Sequence, residues 1–538
     1  MAHLGRTTCA TACTSRSGNR SCVTLTRADR ANTDALIRRR LFGGSISNAL
    51  ARVIGLLSWF VLAPIILARL GPSQYGLWVV VGSIVGYGWL LDFGISATLV
   101  KYLAQFRAQG QIDRARALIA TSLCLYSALG LLAALVSAGL AVVLPGLLNV
   151  PEEDRATAAW VVLIMGLAVG VGLPCSTGLA VLRGLHRYDL ASLVAAAATL
   201  ISAVCIVVVL FTGGGLIGMV AVSVPVALAT QATAWWLIRR IAPELGLTWR
   251  GATWQLARTT AAYGTPLSVM DVADILQRKT DEVVIGAFLP VASVTPFVLA
   301  RGLAEVGRTL TSQFVQVLLP VASELQARND LGRLRALYLN ATRVSLVIFV
   351  PIGVTLFVFP RQILTAWVGA GQADAAQLVV ILTVASMLVT SQSPARWILQ
   401  GIARHRLLAV AALASGLGNL ALSVALVRPL GVTGVAVGTL VPMAVESMCF
   451  VLPFAMRLLD VRAGQWLREI ALPAVAPVVP QALALYLLDR VFAPDALLTL
   501  ALTAMAGWLV YVGSYLALGA SPAERALCRR LILRGAPS

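Results

Sequence analysis

The sequence predicts an all-α integral membrane protein of fourteen transmembrane helices. Two parallel-repeat six-helix lobes are expected around a central cavity, with two accessory helices. Three observations predict it. First, 59% of the 538 residues are hydrophobic and 12% charged, and the apolar residues gather into fourteen segments. Each segment reaches the about 20 residues that a bilayer-crossing helix requires. Second, positive charge marks every second gap between segments. Third, the two central stretches of the chain repeat one another.

The charge pattern sets orientation. The gap at 101–116 carries Lys101, Arg107, Arg114 and Arg116, and the next carries only Arg155 beside Glu152, Glu153 and Asp154. Arg183 and Arg187 mark the third gap, and 212–215 is uncharged. Cationic loops stay cytoplasmic during insertion, so alternate loops face inward and both termini are expected in the cytoplasm. Of 42 Lys and Arg, only Arg69, Arg155, Arg361, Arg428 and Arg490 fall in loops assigned outside. The net charge of +19 is therefore mostly topology. A nucleic-acid partner, the other reading of so basic a chain, is not expected in one so apolar.

Residues 1–40 are rich in Arg, Ser and Thr, with Asp29 and Asp34 the only acids. Their composition is like that of a transit peptide, but no apolar run makes a secretory signal; a disordered cytoplasmic tail is expected. Cys9, Cys13 and Cys22 lie there near His3 at a spacing that is not diagnostic of a metal site, so none is assigned. The N-lobe is expected at 41–240, the C-lobe at 241–458, and spans thirteen and fourteen with the C-terminus at 459–538. The loops are short, and non-helical backbone cannot stand in lipid, so the bundle is helical.

The repeat appears at an offset near 217 residues. Leu182-Arg183-Gly184-Leu185 corresponds to Leu399-Gln400-Gly401-Ile402, and each precedes a basic loop containing His186 or His405. Gly215-Leu216-Ile217-Gly218 corresponds to Gly431-Val432-Thr433-Gly434, and Val224-Pro225-Val226-Ala227 to Val441-Pro442-Met443-Ala444. An even number of helices per unit enters the membrane the same way up twice, which implies a pseudo-twofold axis along the membrane normal. Two such lobes rocking about a shared cavity give alternating access.

Charged groups at the bilayer centre cost at least about 2.5–3.5 kcal/mol, yet spans seven and eight are full of them. In span seven, Asp271, Asp274, Arg278, Asp281 and Glu282 fall at i, i+3, i+7, i+10 and i+11, on one helix face beside Lys279. Arg278 is in reach of Asp274 and Glu282, each four residues away. In span eight, Arg301, Glu305, Arg308 and Ser312 fall at i, i+4, i+7 and i+11. The turn at 289–295 makes the two spans antiparallel neighbours. Two readings stand: an internally paired network that glues the helices, or a wet cavity. Small residues would glue helices at lower cost, and paired guanidinium groups suit phosphate. Elsewhere, Arg52 in span one and Asp92 in span two are candidates for a paired inner gate. Glu446, in span twelve, has no partner apparent in sequence and reads either as a proton or cation site or as a protonated residue hydrogen-bonded to a neighbouring helix. Arg396 reads as snorkelling to the interface.

Leu91-Asp92-Phe93-Gly94 followed by Val100-Lys101-Tyr102, Leu182-Arg183-Gly184 with Arg187-Tyr188, Thr280-Asp281, Ile285-Gly286 with Leu289, and Pro320 with Ser323 occur in an order and spacing that covers most of the chain after residue 40. In these the chain resembles the polysaccharide-transporter (Wzx-like) branch of the multidrug/oligosaccharidyl-lipid/polysaccharide (MOP) flippase superfamily. The resemblance implies a V-shaped pair of lobes in the bacterial cytoplasmic membrane. The implied activity moves an undecaprenyl-pyrophosphate-linked oligosaccharide to the periplasmic leaflet, for O-antigen or exopolysaccharide synthesis. Arg278, Lys279, Arg301 and Arg308 would bind the pyrophosphate or acidic sugars. Arg52, Asp92, Asp271, Asp274, Glu282 and Glu305 would line the cavity or its gate, and Asp281 and Glu446 would couple transport to H+ or Na+. No other cofactor is implied; a polysaccharide polymerase and a chain-length regulator are the implied protein partners. A lipid II flippase is the nearest alternative. A multidrug cation antiporter fits less well, because an arginine-rich cavity repels cations. A membrane polysaccharide polymerase would need a placed general acid or base, and the short outer loops offer only the acids at 152–154.

Overall fold

The computed structural model describes residues 27–526 apart from 247, 405, 493–495 and 522–523; side chains are described from Leu50 onward, except those of 266–271, 273, 274, 276, 278 and 406. Every element among the described residues is helical. α1 (Arg27–Gly86) bends at Gly71 and runs through a tight turn at Tyr87–Asp92 into α2 (Ile95–Ala108). There follow α3 (Ile112–Leu147), α4 (Arg155–Gly184), α5 (Tyr188–Phe211), α6 (Gly215–Ala221) and α7 (Ser223–Ile241). The second half holds α8 (Trp254–Phe288), α9 (Val294–Val315), α10 (Leu318–Ala327), α11 (Leu331–Val358), α12 (Pro360–Val368), α13 (Ala376–Gly401), α14 (Arg406–Val445) and α15 (Leu452–Leu458). α16 (Ala463–Trp466), α17 (Leu472–Val475), α18 (Val478–Phe492) and α19 (Leu497–Leu518) complete the chain.

Among the described residues, ten stretches are long and apolar enough to cross a membrane, which makes this a multi-pass membrane protein. Two of them, Leu50–Ala108 and Leu407–Leu458, run to 59 and 52 residues, over twice the about 20 a bilayer needs. Each holds a glycine in the left-handed region, Gly71 (φ 75°) and Gly431 (φ 61°), with Pro72 or Pro429 close by. Proline withholds a backbone donor and glycine accepts the positive φ, so each long helix turns back there. With α8 and α9, which carry the charged stripes and are not among the ten, the described residues form fourteen helical legs.

One expectation is corrected at the N-terminus. Helix α1 begins at Arg27, inside the segment 1–40 expected to be disordered. Residues 27–42 contain neither Gly nor Pro and are dominated by Arg, Ala and Leu, which are good helix formers; composition alone hid this. Cys9, Cys13 and Cys22 lie outside the described residues.

The helices pack mainly within their own half: α1 on α5, α3 on α4 and α4 on α7, then α8 on α14, α9 on α13 and α13 on α11. α18 and α19 pair and lean on α11. The two ends of the bundle differ. At the end bearing the Gly71 and Gly431 bends, one apolar core draws on both halves, including Tyr75, Leu148, Leu216, Phe297, Trp367 and Val435. At the other end there are two separate cores, one around Leu103, Leu185 and Leu245, the other around Leu334, Leu399 and Leu459.

Close points join the halves at the two-core end. Gly94 (φ 65°) faces Gly264 of α8, where a Cβ would come within 1.9 Å of the Phe93 carbonyl oxygen. Any side chain at Gly264 therefore displaces the start of α2. Gly264→Ala should destabilise this contact by about 1–3 kcal/mol and lengthen the distance between spin labels at Gln105 and Arg258. An unchanged distance and thermal stability would contradict the contact.

Candidate functional site

Helical register puts the charged stripe of α9 on one face, and the structure turns that face into a cavity of about 610 Å³. Arg301, Glu305, Arg308 and Ser312 all line it, with Gln277 and Asp281 from α8. α13 adds Ser386, Ser393, Arg396 and Trp397, and α14 adds Thr439 and Met443. Arg52 enters from α1, so the first half also supplies a wall.

Two of the arginines are held by carboxylates from other parts of the bundle and one by its own helix. Arg301 bonds through Nη2 to Glu282 Oε1, and Glu282 is fully buried. Arg308 pairs with Glu305 at 2.9 Å on its own helix. Arg396 pairs with Glu446 at 2.6 Å, and Gln277 Nε2 donates to the same carboxylate at 3.4 Å and to the Ala412 carbonyl at 2.8 Å. Arg52 Nη2 donates to Gln316 Oε1 at 3.2 Å and, among the described residues, meets no carboxylate. Glu282 and Glu446 sit behind their arginines and orient them. The cavity wall thus presents Arg52, Arg301, Arg308 and Arg396 with Asp281 and Glu305, and with Glu282 and Glu446 behind them the described cluster pairs four arginines with four carboxylates. Forked guanidinium groups that reach such a wall match phosphate oxygens.

A second cluster joins α8 to α14. Thr439 Oγ1 lies 2.9 Å from Asp281 Oδ2 and 3.1 Å from the Val435 carbonyl, and it accepts from Asn419 Nδ2 at 3.1 Å. Asp281 is 1% exposed. Its Oδ1 and the Asn419 Oδ1 are buried acceptors with no hydrogen-bond donor among the described residues. An unmatched buried acceptor is costly; no group of three or more His, Cys, Asp or Glu that could hold a metal ion occurs among the described residues.

Of the residues singled out in sequence, Arg52, Asp281, Arg301, Glu305 and Arg308 meet at the cavity, and Glu282 backs it. Lys279 is half-buried and is not among the described lining residues. The side chains of Asp271, Asp274 and Arg278 lie outside the described residues. Three expectations are corrected. Asp92 does not pair with Arg52: the tight turn at Tyr87–Asp92 brings it to the start of α2, where it receives Ser96 N–H at 3.2 Å and the Tyr126 hydroxyl. Glu446 is not alone, because helix packing sets Arg396 and Gln277 against it. Arg396 does not snorkel, since that buried carboxylate holds it inside. Gln277, Gln316, Asn419 and Thr439 were missed; polar side chains inside apolar runs were the available signal.

The chain matches, over residues 66–377, the model of a family described as polysaccharide biosynthesis protein. No curated protein matches it in sequence. Among solved structures it is similar to the lipid II flippase MurJ in an inward closed conformation, with a TM-score of 0.69 at 14% identity, covering 88% of this chain and 98% of that one. It is also similar to a multidrug resistance MATE family transporter of the MOP superfamily. The inward-facing form gives a TM-score of 0.65 at 16% identity over 77% of this chain and 99% of that one. The outward-facing form gives 0.56 at 17% identity over 78% and 96%. At such identities the likeness establishes a shared fold. The match to the family model covers more than half of the sequence, and the chain therefore belongs to the polysaccharide biosynthesis protein family.

Proposed function

We propose that this protein is a flippase rather than an enzyme. It moves an undecaprenyl-pyrophosphate-linked oligosaccharide across the bacterial cytoplasmic membrane by alternating access, for surface or exopolysaccharide assembly. The observation that carries the reading is the cavity wall of four arginines and two carboxylates, set among helices of a membrane bundle. In a low-dielectric surround a guanidinium group at the wall that meets no carboxylate, as Arg52 does among the described residues, attracts an anion more strongly than it would in water. The pyrophosphate supplies that anion, and Ser386, Ser393 and Trp397 offer hydroxyls and a ring to sugars.

All fourteen legs cross the bilayer in this proposal, with both termini in the cytoplasm. The alternation of arginine-bearing loops then turns the two-core end toward the cytoplasm. The shared core seals the outer end, and the cavity loads from within. Asp281, with Thr439 and Asn419, takes the coupling H+ or Na+, while Glu446 positions Arg396. A lipid II substrate is the second reading, favoured by the TM-score of 0.69 to a lipid II flippase. Both substrates are polyprenyl pyrophosphates; the family match favours the polysaccharide precursor.

Replacing Arg301 and Arg308 together by Ala removes at least two charge-assisted contacts, about 3 kcal/mol or more, so pyrophosphate binding should fall roughly a hundredfold. Polymer export in a complementation assay should cease; full export would remove the assignment. Asp281→Asn keeps the shape but not the charge. In proteoliposomes it should leave substrate binding intact and abolish stimulation of transport by a sodium or proton gradient. Retained stimulation would exclude Asp281 from coupling.

A further inference from the structure

The two halves build comparable hollows from matching helices but line them differently. Arg114-Ala115-Arg116-Ala117-Leu118 matches Arg333-Leu334-Arg335-Ala336-Leu337. The same offset carried back sets Gly88 opposite Gly307, and Gly82, Gly86 and Trp89 opposite Arg301, Glu305 and Arg308. Those three charged residues line the cavity of the second half, whereas Gly82, Gly86 and Trp89 line a hollow of about 390 Å³ in the first. The facing walls correspond too: Ser393 and Arg396 of α13 stand where α4 carries Ser176 and Leu179.

No charged residue is among those lining the first hollow. The indole of Trp89 approaches Gly172, where a Cβ would sit 3.2 Å from the rim of the ring. The hydroxyls of Ser176, Ser223 and Thr230 donate to the carbonyls of Leu173, Val220 and Val226 at 2.6, 2.6 and 2.7 Å. Their protons are committed to their own helices, so little remains to recognise a phosphate or a sugar. At Thr230 this hollow adjoins a larger one of about 660 Å³ between α5 and α7, walled by residues such as Ala197, Ile201, Val226 and Ala229. Along α5 its lining runs from Leu190 to Val209, about 29 Å of helix, close to the about 30 Å of a hydrocarbon core. Water gains nothing in such a groove, and a hydrocarbon chain fits it.

We propose that these adjoining hollows seat the isoprenoid chain of the substrate while its pyrophosphate lies in the charged cavity. One repeat then handles each end of one amphiphile. Small residues on both walls (Gly82, Gly86, Ala197, Ala229) leave width for a methyl-branched chain. The inference deepens the reading given above and rests on it.

The test uses the full chain in nanodiscs and three probes: geranylgeranyl pyrophosphate, inorganic pyrophosphate and dioleoyl phosphatidic acid. The wild type should bind the prenyl probe at least about tenfold tighter than inorganic pyrophosphate, and phosphatidic acid should compete poorly. Ala229→Trp and, independently, Ala197→Phe fill the groove; each should erase the prenyl advantage while inorganic pyrophosphate binds as before, which also reports an intact fold. A diazirine on the prenyl chain should label wild-type peptides within 190–237. Labelling confined to α18 and α19, an undiminished prenyl advantage in both variants, or equal competition by phosphatidic acid overturns this inference alone. Failure of the wild type to bind either pyrophosphate overturns it together with the reading beneath it.

Discussion

Ionised side chains inside a bilayer must be paired, hydrated or both, and the second half of this protein is organised around that constraint. Each such charge costs at least about 2.5–3.5 kcal/mol if left facing lipid. α8 and α9 cannot stand at the edge of the bundle with Asp281, Glu282, Arg301 and Arg308 on them. They are screened instead by α1, α13 and α14, and the charges meet in one cavity. Glu282 and Glu446 neutralise Arg301 and Arg396 from behind, while Arg52, among the described residues, faces the space with only an amide for company. Pairing thus makes the cluster tolerable, and incomplete pairing at the wall leaves it attractive to an anion.

The same arrangement distributes rigidity. Where one apolar core crosses both halves, separating them would undo close packing by Tyr75, Phe297 and Trp367. At the opposite end the start of α8 packs on α2 and α3, through the Gly94–Gly264 approach, the Tyr102–Tyr263 ring pair and the Thr253 N–H to Thr121 hydrogen bond, and Arg52 bonds Gln316. No shared core as large as that of the other end joins the halves there, so in the proposed alternating access the two-core end is the one that opens. Asp281 ties α8 to α14 through Thr439. In the proposed coupling, a cation arriving there would alter a helix contact and a cavity wall at once and so bias the position of the halves.

Much of the architecture was legible in the residues. The arginine alternation, the internal repeat and the spacing of Arg301, Glu305, Arg308 and Ser312 depend on local periodicity, and that stripe lines one cavity as its register requires. Partners across helices were not legible. Arg396 and Glu446 are fifty residues apart in sequence, Asp92 and Tyr126 thirty-four, and Arg52 and Gln316 two hundred and sixty-four. Rules for i, i+4 neighbours see only one helix at a time. They offered Glu282 to Arg278, whose side chain lies outside the described residues, and could not show that packing also brings Arg301 to it. Composition likewise suggested disorder at 27–40, where helix propensity prevails.

The central claim is that the arginine-lined space is wet and reached from the cytoplasmic side. In a background lacking the eight native cysteines, Ser386→Cys can be exposed to a charged, membrane-impermeant thiol reagent in inside-out vesicles. Rapid modification, slowed by a polyprenyl pyrophosphate, is expected. A thiol that stays inert there, or reacts equally fast from the outer face, would contradict the cavity and its orientation.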